Sequence, residues 1–216
     1  MSKPLDIKGR LALSLDMNAA IKEITDQIDI EYKALIGLRP LLESAEREKA
    51  EPLYTFLDFH LFVLLLNADI ITLFQQFLST SQPYVKKFCA AKLYTTYQEG
   101  FKQLYGFYDS SGNLKPSKTR WKQLKTFIDK LPQSFQDDYV EISTSLDAAS
   151  KSLAIKEWKA IRDAEDHIDA GSIVEFRRSV DDENKVIKDA EILIECLKKV
   201  SHYCTVIYVL LFNKTS

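Results

Sequence analysis

One short stretch of the sequence combines side chains that could carry out acid–base chemistry on a phosphate. Arg162 and Asp163 are followed by His167. Histidine has an unperturbed pKa near neutrality, so it can take and give a proton, while a guanidinium can hold a phosphate through two parallel hydrogen bonds. Asp163 precedes His167 by four residues, so on a helix it could orient the imidazole and raise its pKa. These groups could together cleave RNA without a metal, with a base activating the ribose 2′-hydroxyl and a cation stabilising the phosphate.

The same stretch has a purely structural interpretation. Arg162 and Asp166 are four residues apart and would form a surface ion pair worth about 0.3–0.5 kcal/mol. On an ideal helix Arg162 and His167 point about 140° apart. Their convergence therefore requires a distorted helix end, for which Gly171 gives a reason, or a second subunit.

A second candidate is the most basic run of the chain, which surrounds Trp121. Its cations are Lys115, Lys118, Arg120, Lys122 and Lys125. One interpretation is a phosphate-contacting surface with a stacking aromatic residue. The other is a solvated helix face with Trp121 anchored inward.

Other polar residues offer weaker candidates. His60 and Asn67 share one face of an apolar helix, where they would form either a polar pocket or a hydrogen-bonded core pair. Cys196, His202 and Cys204 do not fall on one helical face, so we expect no metal site there. The common nucleotide, zinc and hydrolase motifs are absent, and we expect no cofactor.

Composition predicts a helical domain. The 216 residues are 46% hydrophobic, and only six glycines and six prolines are present, too few for a loop-rich fold. The net charge of -2 gives no global attraction for nucleic acid, so RNA binding would need a local basic patch. Three cysteines and the lack of a signal-peptide pattern predict a cytoplasmic location, and polar residues interrupt the apolar stretch 53–78, so no membrane span is expected.

Periodicity predicts an all-α fold, a single helical bundle of six to seven helices over residues 1–216. The expected helices cover residues 13–35, broken by Gly37 and Pro40, then 52–78, 83–107 and 117–130, two helices before Gly171 with Ser150 as a cap between them, and a long C-terminal helix over 182–212. An aromatic stripe (Tyr94, Tyr97, Phe101, Tyr105 and Tyr108) is expected in the core. The last helix carries an apolar seam at three- and four-residue steps, typical of lengthwise packing on a partner helix.

At Arg162, Asp163 and His167 the sequence resembles the HEPN superfamily (higher eukaryotes and prokaryotes nucleotide-binding domain). These are small helical bundles marked by Arg, four to six intervening residues, then His, with a polar residue directly after the arginine. The motif also precedes one long helix, as in the family. The HEPN-like core would cover roughly residues 51–212.

The resemblance implies a metal-independent endoribonuclease in which Arg162 and His167 are the catalytic pair and Asp163 supports them. Arg177 and Arg178 could reach phosphates in the same cleft. Members commonly form homodimers and serve in toxin–antitoxin or antiviral systems, so an antitoxin or regulatory protein is an expected partner. Other members are inactive, which keeps a non-catalytic helical interaction or RNA/nucleotide-binding module as the alternative.

Overall fold

The computed structural model describes residues 51–108, 113–115, 118–152 and 183–212, together with residues 36–46 and 48 and some of those between 19 and 34. Five helices have described bounds and are labelled α1 (Glu51–Ser79), α2 (Pro83–Leu104), α3 (Arg120–Ile128), α4 (Gln133–Ser152) and α5 (Glu183–Phe212). Two short strands, β1 (Phe107–Tyr108) and β2 (Leu114–Lys115), pair antiparallel between α2 and α3. The predicted all-α bundle with a long C-terminal helix is confirmed.

Helix α1 lies at the centre of the bundle and contacts α2, α3 and α5. Pro52 occupies its first turn, where a missing N–H costs no helical hydrogen bond. Six large apolar side chains along the helix are at most 1% exposed: Phe56, Leu57, Val63, Ile70, Ile71 and Phe77. The predicted buried helix is confirmed.

Helix α1 is also long and apolar enough to cross a membrane. The same length and composition occur in the core helix of a soluble protein, and 56% of the apolar window of α1 is buried inside the bundle. Within the window lie His60 and Asn67, both buried polar residues.

Helix α2 returns along α1 after the three-residue turn 80–82, so the two helices are antiparallel. The predicted aromatic stripe is confirmed for Tyr94, Tyr97, Phe101 and Tyr105, which are all at most 8% exposed. The helix ends at Leu104, earlier than predicted, because Gly106 adopts a φ of 91° and its N–H donates to Phe101 O at 3.0 Å. This left-handed conformation suits glycine and turns the chain into β1.

Helix α5 packs lengthwise against other helices of the bundle, as its apolar seam predicts. Seven seam residues are at most 1% exposed: Val186, Ala190, Leu193, Leu197, Val200, Cys204 and Ile207. The helix contacts α1, α2 and α4, and Lys86 Nζ meets Glu183 Oε2 at 2.6 Å beside its first turn. Because the seam is covered by helices of the same chain, it is not available for assembly with another protein.

Two further predictions of where helices break are wrong. Residues 36–46 are all helical, including Gly37 and Pro40, where a break was expected. Burial of Leu38 and Ala45, each 3% exposed, outweighs the hydrogen bond that the proline cannot make. Ser150 is not a cap between helices but lies inside α4, where its hydroxyl donates to Gly106 O at 3.1 Å.

Gly100 marks the closest approach of α2 to α1. A Cβ built on Gly100 would overlap Leu66 Cδ1 and lie 2.9 Å from Leu66 Cδ2. We expect Gly100→Ala to lower the free energy of unfolding by about 1–2 kcal/mol, because overpacking of the core exceeds the gain in helix propensity. Urea unfolding of the single variant, Leu66→Ala and the double variant measures the effect.

In the Leu66→Ala background, Gly100→Ala should cost nothing, since the clashing methyl groups are gone. Gly37→Ala is the matched control, because a Cβ at Gly37 meets nothing within 4 Å and should raise stability by up to about 1 kcal/mol. An equal cost of Gly100→Ala with and without Leu66 would contradict this packing.

Candidate functional site

A basic surface pocket lies where the end of α2 meets the start of α3. Its volume is about 200 Å³, and its lining residues are Lys102, Gln103, Lys118, Thr119, Arg120 and Gln123. Two of the predicted RNA-binding residues, Lys118 and Arg120, are thus brought together. Lys122 is exposed on the same helix but does not line the pocket.

The first turn of α3 begins at this pocket. Thr119 is the N-cap, and its hydroxyl accepts a hydrogen bond from the Lys122 N–H at 3.4 Å. The N–H groups of Arg120 and Trp121 precede the first possible acceptor within the helix. Cations, backbone donors and a positive helix end together favour an anion such as a phosphate.

The cations of the pocket differ in how far they are already paired. The Arg120 guanidinium forms an ion pair with Asp58 of α1 and lies 4.6 Å from the Phe62 ring centroid. Lys102 Nζ is 3.8 Å from Glu99 Oε2, a long contact on an exposed surface. Lys118 is exposed and has no ion pair among the described residues. Lys118 is therefore the cation most available to a ligand, whereas Arg120 is held by α1.

Trp121 does not belong to this surface, and its predicted role in stacking on RNA is wrong. Its side chain is 1% exposed and stacks on Tyr139, with ring centroids 4.5 Å apart. The indole N–H donates to Ser143 Oγ at 2.8 Å, and the Tyr139 hydroxyl donates to Trp121 O at 2.9 Å. Burial raises the pKa of Tyr139 to about 12, so this hydroxyl remains a donor. The inward-anchored interpretation of Trp121 is the one observed.

Four residues of the pocket do not stand out in the sequence: Lys102, Gln103, Thr119 and Gln123. Lys102 and Gln103 lie at the end of α2, about 15 positions before Lys118 along the chain. No spacing rule joins them to α3, because their proximity results from packing of α2 and α3 against α1. Arg162, Asp163, His167, Arg177 and Arg178 lie outside the described residues.

His60 is a buried polar residue of α1. It is 3% exposed, and neither ring nitrogen has a hydrogen-bond partner among the described residues. Its ring lies 6.0 Å from the Phe56 ring and 6.3 Å from the Tyr208 ring, centroid to centroid. The expected hydrogen bond between His60 and Asn67 is therefore not observed. Burial lowers the pKa of His60 from 6.5 to about 4, so the imidazole is neutral in the folded protein at pH 7.

Cys196, His202 and Cys204 all lie on α5. Cys196 and Cys204 are buried free thiols, whereas His202 is exposed on another side of α5. Among the described residues, no group of three His, Cys, Asp or Glu side chains could hold a metal ion.

The buried imidazole predicts a loss of stability in acid. The unfolded chain binds a proton at His60 below pH 6.5 but the folded chain only below about pH 4, so stability falls as the pH drops through this window. At pH 4 the loss is about 3 kcal/mol. His60→Leu should remove most of it, as measured by urea unfolding at pH 7 and pH 4.

Phe56→Leu is the control for this variant, because it disturbs the same contact without removing a titratable group. It should lower stability at both pH values and retain the acid loss of the parent protein. An acid loss of the same size in the parent and in His60→Leu would show that His60 does not cause it.

Comparisons with known proteins found no matching family model, no matching curated protein and no matching solved structure.

Proposed function

We propose that the protein is a HEPN-type, metal-independent endoribonuclease that acts as a homodimer. The observation that carries the proposal is the sequence Arg162-Asp163, three further residues, and His167, placed shortly before the long helix α5 of an all-α bundle. Arg162 holds the scissile phosphate, His167 transfers the proton, and Asp163 orients the imidazole. A role in toxin–antitoxin or antiviral defence, with an inhibitory protein partner, belongs to the same proposal.

The basic pocket supports this proposal, because a nuclease must hold RNA on both sides of the cleaved bond. Lys102, Lys118 and the first turn of α3 can contact a phosphate outside the catalytic motif. Such contacts position the strand without reading its sequence. By the HEPN resemblance, Arg177 and Arg178 are further candidates for phosphate contacts.

The motif predicts cleavage of RNA in EDTA. His167→Ala and Arg162→Ala should each reduce the rate about 10²- to 10⁴-fold, because each removes a group that acts in the transition state. A mixed RNA substrate, resolved on a denaturing gel over time, measures the effect. Arg39→Ala is a matched control, since Arg39 is exposed and pairs only with Glu43 among the described residues. Equal cleavage by the parent and both motif variants would refute the proposal.

The pocket predicts a separate effect on RNA affinity. RNA affinity is measured in the His167→Ala background, which prevents cleavage. There Lys118→Ala and Lys102→Ala should each weaken RNA binding, and by a similar factor for every RNA sequence. Each should also reduce the slope of log affinity against log salt by about 1, because one phosphate contact is lost. Fluorescence anisotropy at several salt concentrations measures both quantities.

Lys130→Ala is the control for binding, since Lys130 is exposed beyond the other end of α3, a helix of nine residues that is about 14 Å long. It should leave the affinity unchanged. If the Lys118 and Lys130 variants behave alike, the pocket is not an RNA contact.

The second candidate is a non-catalytic interaction module. It is favoured by the net charge of -2, by the acidic neighbours of the motif (Glu165, Asp166 and Asp169) and by the ion pair that occupies Arg120. This function predicts an intact protein complex and no RNA turnover at any pH. The α5 seam cannot provide its contact surface, so another face of the bundle would be required.

A further inference from the structure

A groove between α4 and α5 has no role in the proposed chemistry. Its volume is about 360 Å³. The apolar residues that line it are Ile142, Tyr203 and Val206, and the polar ones are Asp138, Glu141, Lys199 and His202. Val206 is 41% exposed, and Val209, three residues further along α5, is 44% exposed. Apolar surface is thus open to solvent along this side of α5.

The charges of the groove are divided between its two walls. Both carboxylates, Asp138 and Glu141, belong to α4, whereas Lys199 and the His202 imidazole belong to α5. Among the described residues, no ion pair within 4.0 Å joins the two walls. Each wall therefore presents its charge to whatever fills the groove.

We propose that two copies of the chain associate through this groove, around a two-fold axis that runs along it. Such an axis places α4 of each protomer over α5 of the other, at the same position along the groove. The carboxylates of Asp138 and Glu141 then face Lys199 and His202 of the other protomer, and this contact occurs twice. Any two-fold interface must be complementary to itself, and a groove with one acidic and one basic wall meets that requirement in charge.

The apolar residues complete the interface. Val206 borders the axis and meets the same residue of the second copy, while Val209 extends the contact by one turn. The opposed charges fix the register of the two protomers, and burial of the valines supplies affinity. A two-fold axis perpendicular to the groove would instead oppose like walls, which disfavours that arrangement.

This inference gives a surface to the homodimer of the proposed function, but its test does not depend on RNA cleavage. Sedimentation or light scattering of the full chain should show a dimer. Glu141→Lys and Lys199→Glu should each weaken association at least about 10-fold, because each places like charges opposite one another twice. An equimolar mixture of the two variants should restore the dimer, since both wall contacts in the mixed pair are again between opposite charges.

The mixture also controls for misfolding, since two misfolded variants would not restore each other. Lys198→Glu is the matched charge reversal, because Lys198 is exposed on α5 outside the groove, and it should dimerise like the parent. A monomeric parent at every accessible concentration, single variants as dimeric as the parent, or a mixture that remains monomeric would each overturn the inference. If the parent protein dimerises as expected but does not cleave RNA, the result counts against the proposed nuclease activity and not against the dimer.

Discussion

Packing of the Trp121 indole holds α3 against three other helices. The ring stacks on Tyr139 of α4 with an interplanar angle of 7° and contacts Phe59 of α1 and Tyr203 of α5, with centroids 5.8 and 6.1 Å away. Its one polar atom is satisfied by Ser143. A buried aromatic residue of this size dominates the contact energy of a nine-residue helix that would be marginal alone.

The orientation of α3 decides which residues face solvent. Neighbouring positions on a helix point about 100° apart, so burial of Trp121 directs Lys122 outward and places Arg120 at the edge of the core. There Arg120 meets Asp58, and this pair ties the start of α3 to α1. Lys102 reaches the same place from the end of α2, because α2 also packs on α1. The basic pocket is therefore a consequence of core packing.

Residue spacing predicts the structural features that depend on helical periodicity, but it does not predict those that depend on contacts between helices. The extents of α1 and α5 and the burial of their apolar faces follow from residue spacing, because burial of a continuous stripe is their main source of stability. The helical state of Pro40 and the position of Ser150 within α4 result from tertiary packing, which overrides local propensity. The same limit applies to the site. Residue spacing groups Lys118 with Arg120, although Lys118 lies just before α3, and only packing adds Lys102 and removes Trp121.

We propose that RNA bound for cleavage also contacts the first turn of α3, which Trp121 fixes in place. Backbone amide hydrogen exchange of the His167→Ala protein, with and without a short RNA, tests it most directly. The N–H groups of Arg120 and Trp121 have no acceptor within the helix, so a bound phosphate should slow their exchange. Protection of residues 120–122 by saturating RNA is the predicted result. Unchanged exchange at these residues, while RNA binds elsewhere on the chain, would show that the first turn of α3 does not contact RNA.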